Sequence, residues 1–222
     1  MFLTIAHRGD PLVHRENTMP SFRSAVEKGA NTLEFDLRLT RDGQIVLLHD
    51  ASLDRLWGVP SQVADLTFAE VHSLGLPAFD ELLTEFDSVT LLVDLKTDDV
   101  IEPAVAALRR HPEAFERAIF VAARRGGQDA LIELRRREPD AVIGLDWTEP
   151  APPPQRLLDA MTPQYFGPRW AVADAAGVPR MRKEGYKVWV GPLADTAQVA
   201  DALEYGVDGI VADEISELLA LL

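Results

Sequence analysis

Short apolar, β-branched segments alternate with segments of helical periodicity along most of the chain. Such alternation is typical of a parallel β-sheet whose strands are joined by helices. The predicted strands cover residues 2–6, 32–36, 89–95, 118–122, 141–145, 164–166, 187–190 and 209–212. The clearest helices between them cover residues 20–28, 99–110, 128–137, 196–204 and 214–221. Eight strands in 222 residues predict a compact (β/α)8 TIM barrel.

An open, doubly wound sheet is the alternative architecture, but no G-x-G-x-x-G motif follows the first strand to support it. The proline-rich run E-P-A-P-P-P at 149–154 has the composition of an interdomain linker. The strands beyond this run are needed to close the sheet, so we interpret it as a stiff loop. Residues 1–222 are therefore expected to form a single domain.

One predicted strand, residues 44–49, breaks the alternation. It follows the strand 32–36 after about eight residues, which is too few for the crossover that neighbouring parallel strands require. Asp42-Gly43, in the intervening segment, is a dipeptide typical of hairpin turns. We expect the chain to run past the end of the second barrel strand, turn there and return as a short β-hairpin arm. The return would bring His49 near the end of the second strand.

Charged side chains stand at the carboxyl ends of predicted strands, where the lining of a barrel should be apolar. Alternate residues of a strand share a face, so Glu34 points the same way as Asp36, and Asp94 the same way as Lys96. Burial of an unpaired carboxylate is costly unless a partner or a metal compensates it. Active sites of (β/α)8 barrels are built at this rim. The three carboxylates could form an all-oxygen site for one divalent cation, Mg²⁺ or Ca²⁺.

Basic side chains at the same rim allow two interpretations. Arg8 and Lys96 could hold an anionic group beside a cation, because guanidinium and ammonium groups both suit phosphate oxygens. Alternatively, Arg8, Arg38 and Lys96 only neutralise the carboxylates in a structural ion network. His7 and His49 follow apolar strands, and a histidine pair can serve as general acid and general base near neutral pH. Together these groups favour phosphoryl transfer or phosphodiester cleavage.

Composition excludes several classes of function. The 22 basic and 36 acidic side chains give a net charge of −14, which opposes binding to nucleic acids and stable association with anionic membranes. The absence of cysteine excludes disulfides, a thiol nucleophile and thiolate metal ligands. The N-terminus does not resemble a signal peptide, and no apolar run is long enough for a membrane span. We therefore expect a cytoplasmic protein that is a monomer or a homodimer.

The motifs that carry these residues resemble those of the glycerophosphodiester phosphodiesterase family. They are I-A-H-R-G-D (5–10), E-N-T-M-P-S-F (16–22), G-A-N-T-L-E-F-D-L-R-L-T-R-D-G (29–43), V-L-L-H-D-A-S-L-D-R (46–55), L-P-A-F-D-E-L-L (76–83), L-V-D-L-K (92–96), V-W-V (188–190) and G-V-D-G-I-V-A-D (206–213). The resemblance implies a TIM barrel that hydrolyses glycerophosphodiesters to sn-glycerol 3-phosphate and an alcohol, in glycerol and lipid metabolism. Glycerophosphocholine and glycerophosphoethanolamine are examples of such small-molecule substrates.

The resemblance also implies roles for individual residues. His7 and His49 match the acid–base pair of the family. Glu34 and Asp36 match two ligands of its divalent cation, usually Ca²⁺ or Mg²⁺. Asp94 stands where the family commonly has a glutamate as the third ligand. Because aspartate is one methylene shorter, its contact with the metal could be longer or mediated by water.

Four further positions match the family less directly. Arg8 corresponds to an arginine that holds phosphate and Lys96 to a lysine that contacts substrate. Glu16 corresponds to an acidic residue near the site, either a further ligand or a support for one. Trp189 begins a motif that often reads W-x-x-N but continues here as V-G. An aromatic contact with a choline group is an alternative to core packing for Trp147, Tyr165, Trp170 and Trp189.

Other departures from the family concern the surroundings of the site. Arg124 and Arg125 follow the predicted strand 118–122, where they either widen the preference towards anionic substrates or face solvent. The insertion that some members carry after the H-D motif is nearly absent, so we expect no insertion domain and a more open pocket.

The local charge of the site suits a phosphodiester monoanion. The charges of three carboxylates, two basic groups and a divalent cation sum to about +1, and salt screens the more distant charges of the protein.

Two other functions are compatible with the same motifs. One is a related phospholipase-type phosphodiesterase, similar to sphingomyelinase D, although the extracellular location of such enzymes fits poorly with this N-terminus. The other is a barrel that binds glycerophosphodiesters without cleaving them. The intact set of His7, His49, Glu34 and Asp36 argues against a barrel without catalysis.

Overall fold

The computed structural model describes residues 1–123, 126–193 and 195–222. The strands in this part of the chain are β1 Leu3–His7, β2 Thr32–Leu39, β3 Ile45–Leu47, β4 Thr90–Leu95, β5 Ala118–Val121, β6 Val142–Trp147, β7 Tyr165–Pro168, β8 Lys187–Leu193 and β9 Gly209–Ala212. The helices are α1 Met19–Lys28, α2 Asp54–Trp57, α3 Phe68–Ser73, α4 Phe79–Glu85, α5 Ile101–Arg110, α6 Pro112–Glu116, α7 Gly127–Arg137, α8 Gln155–Met161, α9 Gly177–Lys183, α10 Thr196–Tyr205 and α11 Ile215–Ala220. Arg124 and Arg125, predicted at the rim, lie outside the described residues.

Eight parallel strands close into a barrel in the order β1-β2-β4-β5-β6-β7-β8-β9. The barrel closes where β1 pairs in parallel with β9, with Leu3 opposite Gly209 and Ala6 opposite Ala212. The predicted TIM barrel is confirmed, and the open doubly wound sheet is wrong. Every predicted strand is present, although most of the ends differ by one to three residues from the prediction.

The predicted hairpin arm is also present. β2 continues beyond the barrel to Leu39 and pairs there in antiparallel fashion with β3. The turn contains Gly43 at a φ of 77°, a left-handed conformation that glycine adopts without steric cost. On the return, the backbone N–H of Leu48 donates to the carbonyl of Asp36 at 2.9 Å. This hydrogen bond places His49 beside the end of β2, as the sequence predicted.

Two apolar layers set the depth of the barrel's cavity. The larger layer lies between the strands and the surrounding helices and includes Phe22 of α1 and Phe35 of β2, in edge-to-face contact at 6.2 Å. The smaller layer fills the interior of the barrel with Leu3, Ile5, Leu92, Ile119, Val121, Tyr165, Trp189 and Val211. A cavity lies above this inner layer, at the carboxyl ends of the strands, and Leu92, Val121, Trp189 and Val211 of the layer line it.

The four aromatic residues considered for contact with choline pack within the protein. Trp189 lies in the inner layer against Tyr165, with ring centroids 5.2 Å apart. Trp170 stacks on Tyr205 at 5.8 Å, and the indole of Trp147 donates to the backbone at 2.7 Å. These contacts support packing as the role of the four rings, and Trp189 in addition lines the cavity at the carboxyl end of the barrel.

Residues 48–89 join β3 to β4 and support the hairpin arm. Their short helices cover a separate apolar cluster of Val46, Leu48, Leu53, Val63, Val71 and Leu76. Val46 of β3 also forms a bridge with Ala78, so the arm is held from both sides. Within the described residues, no helix has the length and hydrophobicity needed to cross a lipid bilayer.

Candidate active site

Three carboxylates from neighbouring strands meet at the carboxyl end of the barrel. Glu34 and Asp36 lie on one face of β2, and the register of β2 with β4 sets Asp36 opposite Asp94. One oxygen of each carboxylate lies within 4.8 Å of the others. The three side chains are almost completely buried. The sequence prediction that they form one cluster is therefore correct.

The donor set fits a hard divalent cation. Asp36 Oδ1 is buried and lies 3.1 Å from Lys96 Nζ, and a carboxylate oxygen with one such contact keeps a second lone pair for a ligand. Burial, together with the nearby charges of Asp36 and Asp94, raises the pKa of Glu34 well above its usual value. A cation would relieve this repulsion, and carboxylate oxygens are the ligands that Mg²⁺ and Ca²⁺ prefer.

Two cations of the protein itself border this carboxylate cluster. Lys96 Nζ lies 2.9 Å from Asp94 Oδ2 and 3.1 Å from Asp36 Oδ1. Arg8 Nε lies 3.4 Å from Asp36 Oδ2. Although burial opposes the change, Lys96 and Arg8 lower the pKa of Asp36. The ion network considered from the sequence thus exists for Arg8 and Lys96, whereas Arg38 instead donates to the backbone carbonyl of His49 at 2.6 and 2.9 Å.

The backbone of Arg8 explains the H-R-G motif. Arg8 adopts a φ of 59°, and its N–H donates to the Glu34 carboxylate at 2.9 Å. Gly9 follows at a φ of 91°, and a Cβ atom there would collide with Ser21. The Ser21 hydroxyl in turn donates to the carbonyl of Arg8 at 3.1 Å. A turn that only glycine can complete therefore aims Arg8 at the cluster.

Each of the two histidines is held by a carboxylate. His7 Nδ1 lies 2.7 Å from Asp213 Oδ1, and His49 Nδ1 lies 2.8 Å from Asp50 Oδ1. These contacts favour the tautomer with the proton on Nδ1, which leaves Nε2 as the ring nitrogen free to exchange a proton. Both rings line the same cavity as the carboxylate cluster.

Asn17 fixes Asp36 through two hydrogen bonds, a role that was not predicted. Its amide nitrogen Nδ2 donates to Asp36 Oδ2 at 2.7 Å, and its Oδ1 accepts from the backbone N–H of Asp36 at 3.2 Å. Asn17 is fully buried and has a φ of 56°, a conformation that asparagine tolerates better than most residues. This double hydrogen bond accounts for the asparagine of the E-N-T motif.

Arg55 connects the two halves of the site, which was also not predicted. It donates to Glu16 at 2.7 and 3.1 Å and to Asp50 at 2.5 Å. Glu16 also accepts from Arg8 at 3.0 Å, while Asp50 holds His49. Although burial alone would raise it, hydrogen bonds from Arg55 and His49 lower the pKa of Asp50 to about 2. One guanidinium thus fixes both carboxylates that position Arg8 and His49.

A single cavity collects nearly all the predicted site residues. It is lined by His7, Arg8, Glu34, Asp36, His49, Asp94, Lys96 and Trp189. Glu16 is the exception, because it lies behind Arg8 and both of its oxygens are engaged by arginines. Its geometry therefore favours support of Arg8 over direct binding of a metal.

The cavity also has a polar side that sequence reasoning missed, formed by Asp146 and Arg169. Burial and the charge of Asp94 raise the pKa of Asp146 to about 7, while Arg169 and the indole of Trp189 oppose this shift. A search for charged residues at the carboxyl ends of all the strands would have identified Asp146 on β6 and also Asp213, which follows β9. Arg169 offered no comparable signal.

Comparison with known proteins gives a consistent result. The model of the glycerophosphoryl diester phosphodiesterase family matches residues 7–217. A glycerophosphodiester phosphodiesterase of Caldanaerobacter subterraneus subsp. tengcongensis is 26% identical over 239 residues, covering 99% of this chain and 97% of that protein.

Solved structures share the fold. The glycerophosphodiester phosphodiesterase of Thermotoga maritima superposes with a TM-score of 0.84 and 23% identity, covering 100% of this chain and 99% of that chain. An Oleispira antarctica phosphodiesterase, solved with its product sn-glycerol-3-phosphate, gives a TM-score of 0.86 and 20% identity, covering 99% and 96% of the two chains.

Proposed function

The chain belongs to the glycerophosphoryl diester phosphodiesterase family, and on that premise we propose that it releases sn-glycerol 3-phosphate and an alcohol by metal-dependent His7/His49 acid–base catalysis. Its class as a phosphoric diester hydrolase follows from the family and from the named relatives. The finer proposal depends on one observation, a cavity that joins the carboxylate cluster to two carboxylate-bound histidines. The product in the Oleispira antarctica structure supports the same product here.

Glu34, Asp36 and Asp94 would hold one Mg²⁺ or Ca²⁺. When bound, the ion supplies positive charge that stabilises the phosphoryl oxygens in the transition state. Asp94 belongs to the cluster although it is shorter than the glutamate common in the family, and its Oδ1 accepts from the backbone N–H of Ala123 at 3.0 Å. This hydrogen bond fixes the carboxylate in the orientation that the cluster needs.

Arg8 and Lys96 would bind the phosphate group. Each is anchored by carboxylates before any substrate arrives, so little reorganisation is needed on binding. The negative charges of Asp36 and Asp94 raise the pKa of Lys96 despite the opposing effect of burial. Before a metal binds, Lys96 therefore remains charged throughout the physiological range of pH.

His7 and His49 would move the protons of the reaction. One ring accepts a proton at Nε2 from the attacking hydroxyl, and the other donates a proton from Nε2 to the departing alkoxide. Asp213 and Asp50 hold the opposite nitrogen of each ring and stabilise its cationic form. This arrangement serves an attacking water and the 2-hydroxyl of the glycerol group equally.

Organisation as a single domain is part of the proposal. Closure of one barrel between Leu3 and Ala212 and a family match over residues 7–217 support it. The cytoplasmic location and the monomeric or homodimeric state stay predictions from the sequence.

Product analysis tests the proposed reaction. The protein is incubated with glycerophosphocholine and Mg²⁺ or Ca²⁺, and the products are separated. We expect sn-glycerol 3-phosphate and choline. Glycerol and phosphocholine would show that the other ester bond breaks. Turnover of lysophosphatidylcholine alone would favour the phospholipase-type alternative, and binding without products would favour the barrel without catalysis.

Replacement of Arg55 tests whether it positions Arg8 and His49. In Arg55→Met the carboxylates of Glu16 and Asp50 lose their shared cation, so kcat should fall ~10- to 100-fold, as is common for residues that orient catalytic groups. Arg156→Met, an exposed arginine on α8, is the matched control and should keep full activity. Steady-state kinetics with circular dichroism as a check of folding measure the effect. Wild-type kcat and KM in Arg55→Met would contradict the assignment.

A further inference from the structure

The lining of the catalytic cavity has two polar sides. The first comprises the histidines, the carboxylate cluster, Arg8 and Lys96, all contributed by β1 to β4 or the segments that directly follow them. The second comprises Asp146 of β6 and Arg169, which follows β7. In the barrel order, β6 and β7 lie opposite β1 and β2. The two polar sides therefore face each other across the mouth.

Gly167 shapes the second polar side of the cavity. The register of β6 with β7 sets Asp146 opposite Gly167. A Cβ atom at Gly167 would lie 2.7 Å from Asp146 Oδ1 and would collide with the indole of Trp189. The missing side chain thus leaves room for Asp146 to meet the indole, which donates a hydrogen bond to it. That contact uses one lone pair of a carboxylate that can accept about four hydrogen bonds.

Arg169 brings hydrogen-bond donors to the same place. Its side chain is exposed, and it forms no hydrogen bond or ion pair with the side chains that the structure describes. Arg169 and Asp146 line both the catalytic cavity and an adjoining cavity that includes Thr148 and Glu149. A guanidinium and a carboxylate therefore stand together at the junction of the two cavities, with hydrogen-bonding capacity that the described side chains leave unused.

Between the two polar sides lies an apolar floor of Leu92, Val121, Trp189 and Val211. A phosphodiester carries two arms on one phosphorus atom. When its phosphate is held by Arg8 and Lys96, one arm can cross this floor towards β6 and β7. The carbon skeleton of that arm would pack on the floor and its polar end would meet Asp146 and Arg169.

We propose that Asp146 and Arg169 form a binding subsite for a hydroxyl-bearing arm of the substrate, with the hydroxyl donating to Asp146 and accepting from Arg169. This inference rests on the proposed function and adds to it a site for substrate recognition. A hydroxyl group can use both partners at once because it is both donor and acceptor. The arm is either the glycerol group that remains in the product or a hydroxylated leaving alcohol such as a second glycerol.

The test compares Asp146→Ala and Arg169→Met with the wild type on two diesters, glycerophosphocholine and glycerophosphoglycerol. Inhibition by sn-glycerol 3-phosphate and by inorganic phosphate is measured beside the kinetics. Loss of a hydrogen bond to a charged group should raise KM for an engaged diester ~10-fold or more. The inhibition constant of inorganic phosphate, which reaches only the first polar side, should not change.

The pattern of changes in KM and in product inhibition identifies which arm of the substrate binds in the subsite. A higher KM for both diesters with weaker inhibition by sn-glycerol 3-phosphate places the glycerol group in the subsite. A higher KM for glycerophosphoglycerol alone, with product inhibition unchanged, places the leaving alcohol there. Asp201→Ala and Arg156→Met, both exposed, are the matched controls and should behave as the wild type.

Two results would overturn the inference while leaving the proposed function in place. One is an unchanged KM for both diesters in both variants. The other is inhibition by inorganic phosphate that weakens as much as inhibition by sn-glycerol 3-phosphate, which would show that the variants disturb the site as a whole. A wild type that cleaves neither diester would instead count against the proposed function itself.

Discussion

Replacement of His7 or His49 by alanine is expected to lower kcat at least ~100-fold, since a positioned acid or base contributes ~10²- to 10⁴-fold to the rate. Both rings line the cavity and are partly exposed, with 19% and 34% of their side-chain surface accessible. Their removal should therefore cost little stability. Steady-state kinetics with glycerophosphocholine and a thermal melt of each variant measure the two effects.

His14 provides a matched control for both histidines. It is exposed in the loop that follows β1, and His14→Ala should keep wild-type turnover. Turnover near the wild-type level in His7→Ala or His49→Ala would remove that residue from the mechanism. A large fall in melting temperature would instead assign it a structural role.

Glu34→Gln is expected to be comparably severe, because it removes one of three anionic ligands. A bound divalent cation supplies several kcal/mol of transition-state stabilisation, so weakened binding should lower the rate at a fixed, limiting metal concentration at least ~100-fold. The thermal stabilisation that Mg²⁺ or Ca²⁺ gives the wild type should also be lost. Glu204→Gln, an exposed position on α10, is the control and should retain both properties.

In the metal-free protein, Glu34→Gln should raise the stability instead of lowering it. Burial and the neighbouring carboxylates raise the pKa of Glu34 well above its usual value. A raised folded-state pKa gives stability that is present below the unfolded value and lost as the pH rises through the folded value. Melting in chelator at about pH 5 and about pH 7.5 should show a larger loss for the wild type than for Glu34→Gln. Equal losses would contradict the assigned direction.

Two other carboxylates of the site lie outside the range of pH compared. The pKa of Asp36 and that of Asp50 are both lowered, the latter to about 2. These two groups therefore titrate below the range of pH compared. Burial raises the pKa of Asp94, and burial with the charge of Asp94 raises that of Asp146 to about 7, but both groups are present in the wild type and in Glu34→Gln and so contribute to both melts.

The barrel and the carboxylate cluster were predictable because they depend on local periodicity. Alternate residues of one strand share a face, so E-x-D and D-x-K each place two charged groups together before any tertiary contact is known. The hairpin was predictable for a similar reason, since the segment between β2 and β3 is too short for a crossover. The position of His49 near the end of β2 follows directly from that turn.

The supports of the site depend on contacts that no local pattern specifies. His7 and Asp213 are 206 residues apart in sequence and meet only because β9 closes the barrel against β1. Asp146 meets Trp189 because of one register between β6 and β7 and one missing side chain at Gly167. Asn17 reaches Asp36 through a left-handed backbone conformation. Register, closure and single unusual dihedral angles thus set the geometry that the motifs alone leave open.

The most direct test of the account is a metal-replacement experiment on the wild-type protein. The protein is freed of metal by chelation, and release of sn-glycerol 3-phosphate from glycerophosphocholine is followed before and after addition of Mg²⁺ or Ca²⁺. We expect no release from the chelated protein and restoration of release by at least one of the two ions. Release that continues unchanged in chelator would contradict it.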